Sequence, residues 1–235
     1  RPPRSTLFPY TTLFRSGIDS PVSSFEMLKR GVELTYVHFH STPATSRQSI
    51  QNVGEILTVL AGYQIQCRVY MVPLLEIQQK IMADAPNKLW VILFRRAMIK
   101  LASIIAEQLD IPALISGESV GQVASQTLSN IRATADAADR PILRPLAGFN
   151  KEDIVRIAEK IGTYEISIEP YDDCCSFFVP IHPETKANLE VVRQTEDNID
   201  FGDMFTTALN DATIKTFEHP DYVRNSFTSL EKVSD

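Results

Sequence analysis

The chain has 235 residues, 44% of them hydrophobic, and a net charge of −6 at pH 7 with histidine neutral. That length suffices for one large domain with a proper core, and the acidic balance argues against a strong nucleic-acid binder acting by itself. No run approaches the roughly 18 consecutive apolar residues of a membrane span, and three cysteines, two of them adjacent, make no disulfide framework and favour a reducing, cytoplasmic setting.

The first segment, Arg1–Ser16, has neither the unbroken apolar stretch nor the small-residue cleavage site of a signal peptide. It is similar to the in-frame translation of a sequencing-library adapter, so the natural chain is expected to start near Gly17. Three regions result: residues 1–16 as a foreign segment, 17–183 as the catalytic domain, and 184–235 as peripheral helices and a polar tail. Leu13-Phe14 is apolar and can stand where a first strand belongs. That strand should start after Pro9, which lacks an N–H.

From Gly17 onward strands and helices alternate. A short helix over Pro21–Arg30 leads to a strand over Glu33–His40, rich in β-branched and aromatic residues. Ile50, Val53, Leu57 and Leu60 recur at helical spacing in Ser46–Tyr63. Gln66–Val72 is a strand. Helices follow over Leu74–Ala83 and Leu89–Leu109, then a buried strand over Pro112–Ser116, a helix over Val120–Ala133 and a strand over Ile142–Arg144. Asn150 offers a cap to a helix that Gly162 ends. Pro183–Asp200 and Phe201–Glu218 read as two peripheral helices. Such alternation predicts an α/β fold: a doubly wound parallel sheet of about five strands, helices on both faces, and a ligand site at the carboxyl ends of the strands.

Four segments carry chemistry. Ser16-Gly17-Ile18-Asp19-Ser20-Pro21 sits where a first strand turns into a first helix. Small residues there let backbone N–H groups approach an anion, and a helix N-terminus adds partial positive charge. Asp19 could hold magnesium on a pyrophosphate and Ser20 could donate a hydroxyl, or the pair could simply cap the helix. In the second segment, Ser116–Leu128, Gly117 and Gly121 permit close approach of a ligand. Gln122 and Gln126, four apart on one expected helix face, could bond a base or ribose, or be solvated. On an apolar helix, Arg95 and Arg96 need anionic partners, either phosphate or a core carboxylate. The fourth segment is Tyr171-Asp172-Asp173-Cys174-Cys175. Its aspartates would raise a thiol pKa, which leaves structural thiols as an open reading. With Cys67 as the sole other cysteine, no zinc spacing is present, and His38 and His40, two apart on a strand, are too few ligands for a metal.

The blocks GIDSPV, MLKRGVE, YVHFHS, SGESVGQVASQTLSNI, ILRPL, NKEDI and DDCC resemble, in order and spacing, the tRNA 4-thiouridine synthetase (ThiI) family of PP-loop enzymes. The resemblance runs from Gly17 to about Pro183. The family's phosphate loop reads Ser-Gly-Gly-x-Asp-Ser, and here Arg15 and Ser16 occupy its first two positions. The resemblance implies a PP-loop fold and ATP with Mg²⁺ as cofactors. It places Gly17, Asp19 and Ser20 on the pyrophosphate, His38 and Phe39 beside the adenine and ribose, and Arg95, Gly117 and Gln126 as further ATP contacts. Cys174 is the implied catalytic cysteine, with Cys175 the neighbouring alternative, and Asp19 shares the catalytic role. The implied reaction adenylates a tRNA uridine at its C4 oxygen, then replaces AMP by sulfur from a persulfide that a cysteine desulfurase supplies. The same sulfur serves thiamine thiazole synthesis. Full-length members grip tRNA through upstream ferredoxin-like and THUMP domains, which this sequence lacks. Two other readings share the residues: a PP-loop amidotransferase or ligase of the NAD- or GMP-synthetase kind, and an inactive truncated nucleotide-binding module.

Overall fold

The computed structural model describes residues 9–170, 178, 180 and 182–219. Its strands are β1 (Pro9–Leu13), β2 (Glu33–His40), β3 (Gln66–Pro73), β4 (Leu114–Ser116), β5 (Ile142–Leu143) and β6 (Thr213–Glu218). The helices are α1 (Asp19–Leu28), α2 (Gln48–Gln64), α3 (Leu75–Asp84), α4 (Trp90–Gln108), α5 (Leu128–Ala135), α6 (Lys151–Ile161), α7 (Tyr164–Ser167), α8 (Leu189–Asp197) and α9 (Met204–Asn210). All six strands join one sheet in the order β5-β4-β1-β2-β3-β6. The first five are mutually parallel, as the alternation predicts, and β6 runs antiparallel along the outer edge of β3.

Side-chain alternation on β2 shows how the two helical layers are held. Leu34 and Tyr36 enter a core with Val22 of α1 and Val53, Ile56 and Leu57 of α2. Val37 and Phe39 enter the opposite core with Ile77 of α3 and Ile92, Leu93 and Phe94 of α4. Successive strand residues point to opposite faces, so one strand feeds both layers. Helix α6 begins and ends as its sequence predicts. The Asn150 side chain accepts the Asp153 N–H at 2.8 Å, and Gly162 closes the helix in the left-handed region at φ 78°.

Three elements differ from the sequence reading. Strand β1 starts at Pro9 rather than after it, and lies between β2 and β4. Proline is tolerated as the first residue of a strand, and β4 pairs only with Thr11–Leu13, so the missing N–H costs no bond on that side. The expected helix over Val120–Ala133 is an irregular loop with a short 3₁₀ turn at Ala124–Gln126, and α5 begins at Leu128. Gly121 sits at φ 76° and breaks the helix, while Thr127 caps α5 by accepting the Asn130 N–H.

The third difference is the segment Phe201–Glu218, where α9 is followed by β6 instead of continuing as helix. Thr213, Ile214, Thr216 and Phe217 favour extended backbone, and the open edge of β3 offers partners for it. Phe217 lies over α2: a Cβ built at Gly54 would come within 3.0 Å of the Phe217 ring. Gly54→Val is therefore expected to push Phe217 aside and lower hydrogen-exchange protection in 213–218, with β1, β2 and β4 still protected. Equal protection of β6 in both proteins would refute this.

Candidate nucleotide site

The carboxyl ends of β1, β2 and β4 open on a cavity of about 440 Å³, a size suited to a small-molecule ligand. Its polar side is the turn after β1, with Arg15, Gly17, Asp19 and Ser20 in the wall. Asp19 is the first residue of α1, and the N-cap position, Ile18, supplies no side-chain cap. The first N–H groups of α1 are thus left for an anion. Ser20 Oγ accepts the Arg15 N–H at 3.2 Å, which fixes the turn's curvature. Gly117, leaving β4, lies against this turn so closely that a Cβ would stand 3.1 Å from the Asp19 carbonyl carbon and the Ser20 nitrogen.

Helix α4 supplies the opposite wall through Val91, Met98 and Ile99, apolar surface broken by Arg95. Arg95 reaches Glu118 at 2.9 Å and donates to the Ser125 carbonyl at 3.2 Å. Glu118 is buried, and its second oxygen meets Arg144 Nε at 2.8 Å. Burial alone would raise the Glu118 carboxyl pKa, but the Arg95 and Arg144 guanidinium groups outweigh it and hold the carboxyl below its ordinary value. Gln122 donates to Asp19. Its amide oxygen and that of Gln126 are buried without a hydrogen-bond partner. Two acceptors in a cavity wall match a ligand that carries N–H or O–H donors. Asp19 has its pKa raised by burial, opposed by Arg15, Lys151 and the Gln122 hydrogen bond. A carboxylate desolvated in this way gains from a cation beside it.

Gly17, Asp19, Ser20, Phe39, Arg95, Gly117 and Gln126 therefore share one cavity. His38 is not part of its lining. Alternation on β2 turns it to the other face from Phe39, and its Nδ1 donates to the Phe14 carbonyl at 3.1 Å. Burial depresses its pKa to about 4, despite the pull of that carbonyl, so the ring is neutral and braces the chain just before the turn that follows β1. The His38 side chain makes this bracing contact, while its neighbour Phe39 lines the cavity.

Gln122 and Gln126 do not share a helix face, because no helix forms there, yet both reach the cavity from the loop. Arg96 takes the carboxylate alternative, bonding Glu196 and Asp136. The sequence reading passed over Glu118, Arg144 and the apolar wall of Val91, Met98 and Ile99. A glutamate directly after Gly117, within a segment of small residues, was the available signal. Cys174, Cys175, Asp172 and Asp173 lie outside the described residues. No group of three or more potential metal ligands occurs among the described residues, and no described helix is long and apolar enough to cross a membrane.

Residues 10–201 match the profile of the family described as "Thiamine biosynthesis protein (ThiI)". The chain belongs to the ThiI family. Its relatives include the probable tRNA sulfurtransferase of Moorella thermoacetica, 43% identical over 206 residues, which takes in 88% of this chain and 53% of the relative. Another is the probable tRNA sulfurtransferase of Caldanaerobacter subterraneus subsp. tengcongensis, 47% identical over 191 residues, 81% of this chain and 50% of that one. The chain thus spans about half the length of these curated ThiI relatives. Among solved structures, a 4-thiouridine synthetase–RNA complex with bound ATP superposes with TM-score 0.87 at 38% identity, over 91% of this chain and 56% of that one. NMN synthetase from Francisella tularensis, at TM-score 0.54 and 13% identity over 88% of this chain and 83% of that one, shares the fold.

Proposed function

We propose that this chain is the ATP-using part of a tRNA sulfurtransferase that converts uridine to 4-thiouridine. The convergence of Gly17, Asp19, Ser20, Phe39, Arg95, Gly117 and Gln126 on one cavity carries the reading. The 4-thiouridine synthetase it resembles was solved with ATP and RNA, which adds support.

In this reading the α1 N-terminus and the Gly17–Ser20 turn receive the β- and γ-phosphates, and Arg95 offsets their charge. Asp19, a desolvated carboxylate at the turn, would hold Mg²⁺, which when bound neutralises charge on the departing pyrophosphate. The uridine C4 oxygen attacks the α-phosphorus, and the bond to pyrophosphate breaks. A persulfide sulfur, charged by a cysteine desulfurase, then attacks C4, and AMP leaves with the former C4 oxygen. Cys174 as thiolate attacks the carrier sulfur of the resulting disulfide. That frees the thiolated base and leaves a disulfide between Cys174 and the carrier. The same persulfide would serve thiamine thiazole synthesis. The tRNA is held by domains outside this chain, in keeping with its net charge of −6.

Two measurements test the reading. ATP with Mg²⁺ should bind the chain and GTP should not; absence of ATP binding by calorimetry would overturn it. In a full-length homologue, Cys174→Ser at the matching position should abolish 4-thiouridine formation and leave tRNA-dependent pyrophosphate release within about threefold of wild type, since the thiol acts only after adenylation. Pyrophosphate release lost together with thiolation would remove Cys174 from the sulfur step.

A further inference from the structure

Glu118 is a carboxylate in the wall of a cavity proposed to take a polyanion. A negative charge there weakens anion binding unless it does something else. Its side chain is 7% exposed and both oxygens are engaged, one with Arg95 at 2.9 Å and the other with Arg144 at 2.8 Å. The Glu118 backbone N–H also donates to Ser116 Oγ at 3.3 Å, which ties the residue's main chain to the end of β4. Arg95 arrives from α4, Glu118 from the loop after β4, and Arg144 from the residue after β5. One carboxylate thus joins three elements at the edge of the sheet, and two guanidinium groups leave the cluster a net positive charge.

Arginine side chains have several rotatable bonds, and an unanchored one spends little time in any single direction. Arg95 is held at two points, Glu118 Oε1 and the Ser125 carbonyl, and only the first is a charged contact. Arg144 lies outside the cavity lining and holds the other end of the same carboxylate. We infer that Glu118 is a positioning residue for the nucleotide: it fixes the Arg95 guanidinium in the direction from which it meets the phosphates, and Arg144 fixes Glu118. This rests on the ATP reading above. The carboxylate lowers the total positive potential of the site and in return makes Arg95, one of two arginines in the wall, stationary, a trade that favours a ligand of fixed geometry over any passing anion.

A double-mutant cycle on ATP binding separates this from a merely structural ion pair. Glu118→Gln keeps the shape and is expected to weaken ATP binding about tenfold, the scale of one charge-assisted hydrogen bond. Arg95→Ala should weaken it at least as much. In the Arg95→Ala background, Glu118→Gln should change affinity by less than about twofold, because nothing remains for it to position. Arg144→Gln, farther from the cavity, should weaken binding about threefold and likewise fall silent without Arg95, and it carries the test if Glu118→Gln does not fold. Effects that add in the double variants would overturn the inference and leave Glu118 a structural residue. If Arg95→Ala weakens ATP binding and Glu118→Gln does not, the inference fails while the ATP reading stands. Failure of the wild-type chain to bind ATP at all would remove both.

Discussion

Gly117→Val should abolish measurable ATP binding while the chain stays folded. Gly117 is where the chain leaving β4 passes the turn after β1, and the atoms facing it are the carbonyl carbon and oxygen of Asp19 and the amide nitrogen of Ser20, at 3.1 to 3.2 Å from an added Cβ. These are backbone atoms at the start of α1, not the flexible end of a side chain, so they yield only if the turn itself shifts. A single methyl group in Gly117→Ala asks for a few tenths of an ångström and should weaken ATP about tenfold, or about 1.4 kcal/mol. The branched valine adds further bulk against the same turn and moves its N–H groups away from where the proposed phosphates would sit. Calorimetry with ATP, alongside a thermal melt, reads both halves of the expectation. Binding of Gly117→Val within twofold of wild type would mean that the turn does not hold the ligand. A collapsed melt for both variants would mean that this contact serves the fold.

Glu196→Ala should lower stability by about 3 kcal/mol. Arg96 is almost wholly buried on α4 and reaches Glu196 through Nη2 at 2.7 Å and Nε at 3.1 Å, with Asp136 at 3.1 Å from Nη1. Lys100 adds a contact to the same Glu196 oxygen at 2.9 Å. Removing the carboxylate leaves a buried guanidinium with Asp136 and the Ala133 carbonyl only, which places the loss toward the low end for a broken buried pair. For a chain of this size the melting temperature should fall by about 10 °C.

The pH dependence has a definite sign. Burial alone would raise the Glu196 pKa, but Arg96 and Lys100 hold it below its ordinary value. The stabilisation is therefore full above the unfolded glutamate pKa of about 4.3 and disappears as pH falls through the lower folded value. Wild type and Glu196→Ala should converge in acid. A stability gap that stays constant from neutral pH down to about 3 would contradict this assignment.

The parts of the fold that could be read from sequence are those where one physical signal dominates. Buried β2 and β3 are dense in β-branched and aromatic residues, and the Asn150 cap and Gly162 stop lie close to the helix they bound. The missed parts depend on partners far away in the chain. Thr213–Glu218 is extended because β3, more than a hundred residues earlier, has an unpaired edge, and nothing local distinguishes it from the end of α9. The loop over 117–127 carries residues at helical spacing, and it is the positive φ of Gly121 that denies them a helix. Gly17, Gly117 and Arg95, singled out in the sequence, line one cavity, whereas nothing local separates Arg95 from Arg96, which turns to Glu196 and Asp136 instead. His38 and Phe39 part company because strand alternation turns only one of the two side chains toward the cavity. Glu118 escaped because its role depends on Arg95 and Arg144, both more than twenty positions away in sequence.

The two ends of the sheet have a bearing on how the molecule behaves in a crowd. Unpaired strand edges invite another chain to add on, and long flat ones are the worst offenders. Among the described residues one edge is β5, two residues long and too short to template a ribbon. The other is β6, which covers the eight-residue β3 and shows solvent a lysine at 215 and a glutamate at 218, charges that a stacking neighbour would have to desolvate. By capping β3 with a short charged strand, the chain replaces its most adhesive edge with one that discourages self-association.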